Sequence, residues 1–464
     1  MISIPSCLGE LKRRLENHDG VLDLLNSQSI EEAARTAGHC WRDCFWTPTT
    51  TVLTFLRQVL HANCSCRQAV AMTLSPVMAV SGDDEEEIIS GDPSAYSQAR
   101  QKLPKAIFET LNQQVIREIR DKASSALRWC DREVVVVDGS GASMPDTAPL
   151  QKAFPQPWGQ KPGCGFPVAR LVAVFCWASG ALREVAAGSL HVGELLLWRP
   201  LLKRLSPDTV VLGDTYFGSY FDLALLREHH LDGVFRIHQR RPVDFPLGRR
   251  LGKNDQLLTW EKPKLAATGT TQEEWARVPR TLTVRHVRAD VEFKGFRRRR
   301  HLDIVTTLLD PIAFPVEKLC ELYRDRWYAE LNLRNLKTTL QMEVLKGKSV
   351  EMIRKELLVY QLAYNLIRLL MWRAAGLRDI SVRRLSFAGT RQRIVAALPN
   401  YALCLTTAAR TLFAKRILRQ IAAGTVPDRP NRFEPRCLKR RHKQYTLMKR
   451  PRHTYTCRDD DHYC

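Results

Sequence analysis

Two apolar runs in this chain each close on an aspartate. "REVVVVDGS" (Arg132–Ser140) sets four consecutive valines before Asp138, and "DTVVLGDTYFG" (Asp208–Gly218) sets a second apolar run before Asp214. A run that is apolar at every position has no solvent face, so it predicts a strand covered on both sides. Between the two, "ARLVAVFCWASGALREVAAG" (Ala169–Gly188) reads as a hairpin turning at Ser179-Gly180, and "GELLLWRPLLKRL" (Gly193–Leu205) reads as an amphipathic helix. A helix near Tyr220–His229 and a strand in "GVFRIHQRR" (Gly233–Arg241) follow. Strand, hairpin, helix, strand, helix, strand is the order of a mixed α/β sheet flanked by helices. In open sheets of that kind, sites form at the carboxyl ends of the strands. Both aspartates are expected there, where a charge is costly unless it is paired or binds a metal.

The pattern differs on either side. Residues 1–125 read as helical, with apolar residues at three- and four-residue spacing in "TVLTFLRQVL" (Thr51–Leu60) and a short helix in "SAYSQARQKLP" (Ser94–Pro104). "SGDDEEEIISGDP" (Ser81–Pro93) between them is an acidic, turn-rich loop. Residues 126–241 carry the first part of the sheet. Residues 242–310 form a β-rich insertion with runs such as "RTLTVRHVRADVEF" (Arg280–Phe293) and "RHLDIVTTL" (Arg300–Leu308). Helices return over 311–375, completing the core, and continue over 376–426. Residues 427–464 read as a basic, disordered tail.

Charge narrows the partners. The chain has 464 residues, with 71 Lys and Arg against 49 Asp and Glu, for a net charge of +22. Such a surplus predicts attraction to a polyanion, foremost nucleic acid. No membrane partner is expected. The most apolar long stretch, "LLVYQLAYNLIRLLMW" (Leu357–Trp372), carries Arg368 and reads as a buried helix. The start "MISIPSCLGELKRR" lacks the order of a secretory signal, and the 13 cysteines are scattered without a framework, so reduced thiols in the cytoplasm are expected. "HCWRDC" (His39–Cys44) and "HANCSC" (His61–Cys66) fit no common zinc spacing. "GKS" (Gly347–Ser349) lacks the upstream glycine of a phosphate loop.

"YRDRWYAELNLRNLK" (Tyr323–Lys337) sets one glutamate, Glu330, among cations. On a regular helix at about 100° per residue, Tyr323, Arg326, Glu330 and Lys337 fall within an arc of roughly 60°. The ordinary reading of such a helix is a solvated face laced with ion pairs. The ordinary reading of a strand-end aspartate is a turn former or cap. Together the three carboxylates suggest more. Two aspartates on neighbouring strands repel each other, and a divalent cation such as Mg²⁺ relieves that repulsion. A third carboxylate from the basic helix would complete a two-metal site for in-line phosphoryl displacement, with Tyr323, Arg326 and Lys337 on the phosphates.

The order Asp138, Asp214, Glu330 resembles that of the DDE transposases of bacterial insertion sequences. More narrowly, Tyr323, Arg326, Glu330 and Lys337 match at every position the signature of the IS-four family: Tyr, two residues, Arg, three residues, Glu, six residues, Lys. "DGS…PDT" around Asp138 and "GDTYFG" around Asp214 are similar to the family's first two blocks. The resemblance implies an RNase H-like catalytic core with a β-rich insertion before the glutamate. It implies an N-terminal helical domain that binds the element's ends, and dimers working on paired ends. It implies Asp138, Asp214 and Glu330 as catalytic ligands of Mg²⁺ or Mn²⁺, water cutting a DNA strand, and a freed 3′-hydroxyl attacking target DNA. The DNA-bound protein would be nucleoid-associated. One departure stands out. Some members hold a flipped base with a tryptophan on the strand before the glutamate helix; here that strand, "RHLDIVTTLLD" (Arg300–Asp310), has none. Trp260 and Trp275 lie elsewhere in the insertion and read as packing.

Other features are less specific. "FRRRRH" (Phe296–His301), including Arg298 and Arg299, reads as a DNA-contacting loop. "RCLKRRHK" (Arg436–Lys443) would add affinity through counterion release. Trp327 reads as core, and Asp325 and Asp146 as weaker carboxylate candidates. Two other functions fit the same residues: an RNase H-like endonuclease that cuts without joining, and a non-catalytic DNA-binding relic.

Overall fold

In a computed structural model of the chain, the four valines divide between two cores. Val134 and Val136 face one, and Val135 and Val137 face the other. The strand is therefore covered on both sides, as its unbroken apolar run requires. The structure describes residues 25–42, 44–78, 90–122, 128–238, 241, 245, 247–267, 269–291, 300–404, 406–427 and 447–454. Most of the acidic loop, Arg298 and Arg299, and the basic run of Arg436–Lys443 lie outside them.

The chain begins with helices α1 (Ser27–Thr36), α2 (Pro48–Leu60), α3 (Cys66–Met78), α4 (Ser94–Lys102) and α5 (Lys105–Lys122). Thr47 caps α2 and Pro48 opens it, which fixes where that helix starts. Then come β1 (Val134–Ser143), α6 (Ala148–Ala153), β2 (Val168–Cys176), β3 (Leu182–Ser189), α7 (Glu194–Trp198), β4 (Val210–Gly213), α8 (Tyr220–Glu228) and β5 (Asp232–Arg236). The segment 242–310 supplies β6 (Arg249–Gly252), β7 (Asp255–Glu261), α9 (Gln272–Arg277), β8 (Thr281–Val291) and β9 (Arg300–Thr306). Helices α10 (Val316–Arg324), α11 (Trp327–Arg334), α12 (Val350–Gly376), α13 (Phe387–Ala402) and α14 (Thr407–Ala423) follow.

The strands form a nine-stranded mixed sheet in the order β3-β2-β1-β4-β5-β9-β8-β7-β6. Strands β1, β4 and β5 are parallel neighbours, while β2, β3 and β9 run antiparallel to theirs. The strands of 242–310 thus continue the same sheet, joined through β9 to β5.

Helix α12 is buried along most of its length and anchors the sheet's first edge. Asn365 accepts from the Leu182 backbone at 2.8 Å, and Tyr364 donates to the Gly180 carbonyl at 2.8 Å. Arg368, buried as its apolar setting predicts, donates to the Asn332 side chain of α11 and, at 2.9 Å, to the Tyr364 hydroxyl. "GKS" ends in Ser349, whose side chain caps α12 by accepting from the Met352 backbone. No helix among the described residues is long and apolar enough to cross a membrane.

Candidate active site

Register brings the aspartates together. The last paired residues of β1 and β4 are Val136 and Leu212, and Leu212 pairs in turn with Val234 of β5. Two residues further on stand Asp138, Asp214 and Arg236. In a pleated sheet, residues two apart project to the same face, so the three occupy one level row across three parallel strands. Val136, Leu212 and Val234 share the core cluster that also holds Leu333 and Leu336, so this row opens toward the glutamate helix. Asp138 differs from expectation in one respect. It is not the end of β1, which runs on to Ser143. It stands where β4 stops and leaves that side of β1 unpaired.

Each aspartate is also tied to backbone. Asp138 Oδ1 accepts from the Gly139 N–H at 2.9 Å, and Asp214 Oδ1 accepts from the Tyr216 N–H at 2.8 Å. The turn and cap chemistry of these residues is therefore real, and it fixes the carboxylates rather than hiding them. Both line a pocket of about 490 Å³ with Arg236, Tyr323, Arg326 and Glu330.

The glutamate arrives on a segment less regular than a single helix. Helix α10 ends at Arg324, a turn passes through Asp325 and Arg326, and α11 starts at Trp327. Asp325 stabilises that turn: its carboxylate accepts from Trp177 Nε1 at 2.9 Å and from Arg383 at 2.6 Å. It is committed outside the pocket, as is the exposed Asp146, which bonds Gln151 at 2.8 Å. After α11 the chain takes a π-helical turn over Asn335–Thr339, with the Leu340 N–H reaching back to the Asn335 carbonyl at 3.0 Å. A π turn takes more residues per revolution than an α turn, so it carries Lys337 out of phase. Tyr323, Arg326 and Glu330 line the pocket; Lys337 does not. The expected four-residue face is a three-residue face. Trp327, expected in the core, is 45% exposed; helical spacing already sets it away from Leu322, Leu333 and Leu336, which are buried.

Electrostatics in the pocket are strained toward negative charge. Burial pushes the Asp138 carboxyl up to about 6; Gly139 and Arg326 pull it down, and the charges of Asp214 and Glu330 raise it further. Glu330 pairs with Arg326 at 3.0 Å. Burial works against the Arg326 charge, but the Glu330 bond and the Tyr323, Glu330 and Asp138 charges hold its pKa above the usual arginine value. Burial and Asp214 raise the Tyr323 phenol, while Arg326 and Arg236 act the other way. Three carboxylates lining one pocket, with Asp138 held protonated more readily than usual, are the electrostatic condition that a hard divalent cation relieves, so the residues present suit one. Among the described residues, no three His, Cys, Asp or Glu side chains already converge as a metal cage. Arg326 stands as the counterion of Glu330.

Two residues here were not singled out in the sequence. Arg236 was legible as the residue that ends the third parallel strand. Glu194, the first residue of α7, carried no such signal. Its carboxylate lies against Gly139, where an added Cβ would sit 2.4 Å from Glu194 Oε2, and it pairs with Arg170 at 3.2 Å. Glycine at 139 thus leaves room for a fourth carboxylate beside the row. Trp260 and Trp275 do not line the pocket. Arg241 lies over Trp260 at 3.6 Å, and Trp275 stacks on Phe221 at 6.1 Å.

The family described as "Transposase DDE domain" matches residues 129–366, a little over half of the chain, from just before β1 into α12. Among curated proteins, the transposase InsG for insertion sequence element IS4 of Escherichia coli (strain K12) is 28% identical over 302 residues, covering 64% of this chain. The match spans 65% of that relative, just under two thirds. A cryo-EM structure of the piggyBac transposase synaptic complex with hairpin DNA is similar at a TM-score of 0.39 and 9% identity, covering 91% of this chain and 85% of that one. A likeness of that size carries no argument about this chain. The chain belongs to the DDE transposase family, and the Tyr-Arg-Glu-Lys spacing agrees with that match.

Proposed function

We propose that the chain is a DNA transposase that hydrolyses phosphodiesters at the ends of an insertion sequence and joins the freed 3′-hydroxyl to target DNA. The observation that carries this reading is the level pair Asp138 and Asp214, faced across one pocket by Glu330. The three carboxylates are the catalytic groups and would hold divalent metal, Mg²⁺ or Mn²⁺, as a two-metal site in an RNase H-like core. Held by those three carboxylates, a divalent metal would supply an activated water and neutralise the charge that builds up on the attacked phosphodiester. The chain's own cations do the rest. Arg326 and Arg236 flank the carboxylates and would hold phosphate oxygens as DNA enters. Arg326 would release Glu330 in the same event, which explains a trio that lines one pocket without converging. Tyr323, buried at the pocket wall, would hold a phosphate of the bound strand beside Arg326.

Elsewhere, the helical region 1–125 would bind the element's ends and the chain would act as a homodimer on two of them. Lys337, Arg298, Arg299 and the basic tail would hold backbone phosphates without reading sequence.

The test is a joining assay. Purified chain is mixed with DNA carrying the ends of its own element, a target plasmid and Mg²⁺. The proposal expects cut ends and joined products. Cut ends with no joined product would make it an endonuclease instead. Intact DNA, bound but uncut, would leave a non-catalytic binder.

A further inference from the structure

We propose that Trp158 and His191 form a platform on which an unpaired DNA base stacks; this rests on the transposase reading above. The Trp158 ring is 84% exposed and lies on the His191 ring with centroids 4.5 Å apart and planes 21° apart. One face of the indole is thus backed by an imidazole, and the other is open.

The loop that holds Trp158 is built. Gln156 uses its whole side-chain amide to close it. Nε2 donates to the carbonyls of Gln160 at 3.0 Å and Lys161 at 2.8 Å, and Oε1 accepts from the N–H groups of Gly163 at 3.1 Å and Gly165 at 3.2 Å. Gln151 of α6 clamps its base, donating to the Gly165 carbonyl at 3.0 Å and accepting from the Gln156 N–H at 3.3 Å. Such anchoring reduces the ordering cost that a ligand would otherwise meet.

The platform shares its support with the carboxylates. His191 is in the turn after β3, three residues before Glu194, a separation of at most ~11 Å of chain. Arg170 fixes that turn by donating to the Leu190 carbonyl at 3.2 Å, and it holds Glu194 at 3.2 Å. Glu194 in turn lies against Gly139, next to Asp138. The opposite side of the loop is basic. A Cβ on Gly163 would come within 2.9 Å of Pro451, which brings the segment with Lys449 and Arg450 beside it.

A bare aromatic face on a built loop with a basic segment beside it suits single-stranded DNA, whose bases stack on aromatic rings while cations follow the backbone. Among the described residues the other tryptophan noted as exposed is Trp327, at 45%, whereas those of the insertion are packed. Tyr216, 49% exposed and bonded through its backbone to Asp214, and Trp158, 84% exposed, are both open to a strand melted at the cleavage point, and Trp158 shows the larger bare face.

Crosslinking tests this directly. Full-length protein is irradiated with a single-stranded oligothymidine carrying 5-iodouracil, and the crosslinked peptides are mapped. The proposal expects the peptides of Trp158 or His191 to be labelled. It expects Trp158→Ala to lose the label and bind about tenfold more weakly, and Trp158→Phe to restore both. Crosslinks elsewhere, with Trp158→Ala binding like wild type, would overturn the platform. A Trp158→Ala protein that crosslinks normally but changes its sedimentation would overturn it too, and mark the loop as a protein contact. Wild-type protein that binds no DNA at all would instead remove the transposase reading on which the platform rests.

Discussion

Asp138 and Asp214 stand level because β1 and β4 are parallel and in register at Val136 and Leu212, two residues before each. The sheet, rather than any contact between the side chains, sets their spacing. Neighbouring strands lie about 4.8 Å apart, so two negative groups at one level repel strongly unless a cation lies between them.

That repulsion has a stability consequence. Burial, with Asp214 and Glu330, raises the Asp138 carboxyl to about 6. A raised folded-state pKa gives stability that is full below the ordinary aspartate value and is lost as pH climbs through about 6. Asp138→Asn is therefore expected to be more stable than wild type in metal-free buffer at neutral pH, by about 3 kcal/mol, and no more stable in acid. Denaturant titrations at the two pH values check this. Equal pH profiles for the two proteins would contradict it.

Arg326 makes a second prediction. It is the counterion of Glu330 at 3.0 Å when no metal is bound. Arg326→Gln is expected to lower the metal-free melting temperature and to enlarge the rise on adding millimolar Mn²⁺, because Glu330 then loses the cation paired with it and Arg236 alone offsets the carboxylates. Thermal melts with and without Mn²⁺ give both numbers. A smaller Mn²⁺ shift in the variant would count against the pairing as a stand-in for metal.

A third concerns how the insertion supports the glutamate helix. Arg285 of β8 has no exposed side-chain surface and grips Asp255 at 2.7 Å. It also donates to the Phe314 carbonyl at 2.7 Å, at the entry to α10. Asp255→Ala would leave a buried cation unpaired and is expected to cost ~3–5 kcal/mol. It is also expected to reduce cleavage at temperatures where the protein remains folded. Calorimetry and a cleavage assay on the same preparation check the two parts.

The two valine-rich and apolar runs revealed the strands, because a segment buried on both faces leaves no polar position to confuse its period. The aspartates were visible as the charges that end those runs. What stayed hidden depended on contacts distant in sequence. The π turn at Asn335–Thr339 moved Lys337 off the face that regular helical spacing gave it, and nothing local in "NLKTT" announces that turn. The turn that Asp325 holds with Trp177 and Arg383, which divides the helix in two, was equally silent in the sequence. Glu194 reaches Gly139 only because β1, β2 and the turn after β3 meet in space. That segment 242–310 extends the core sheet also depends on β9 choosing β5 as its partner.

The most direct measurement is Mg²⁺-dependent cleavage of DNA carrying the element's own ends, with wild type and Glu330→Gln compared for binding and cutting. The substitution keeps the shape of the side chain and removes its charge. The account predicts equal binding and a loss of cutting of more than about 100-fold, beyond what disturbing even an outer partner of a metal ligand causes. Cleavage by Glu330→Gln at the wild-type rate would contradict it, and would leave the level aspartates without their third partner.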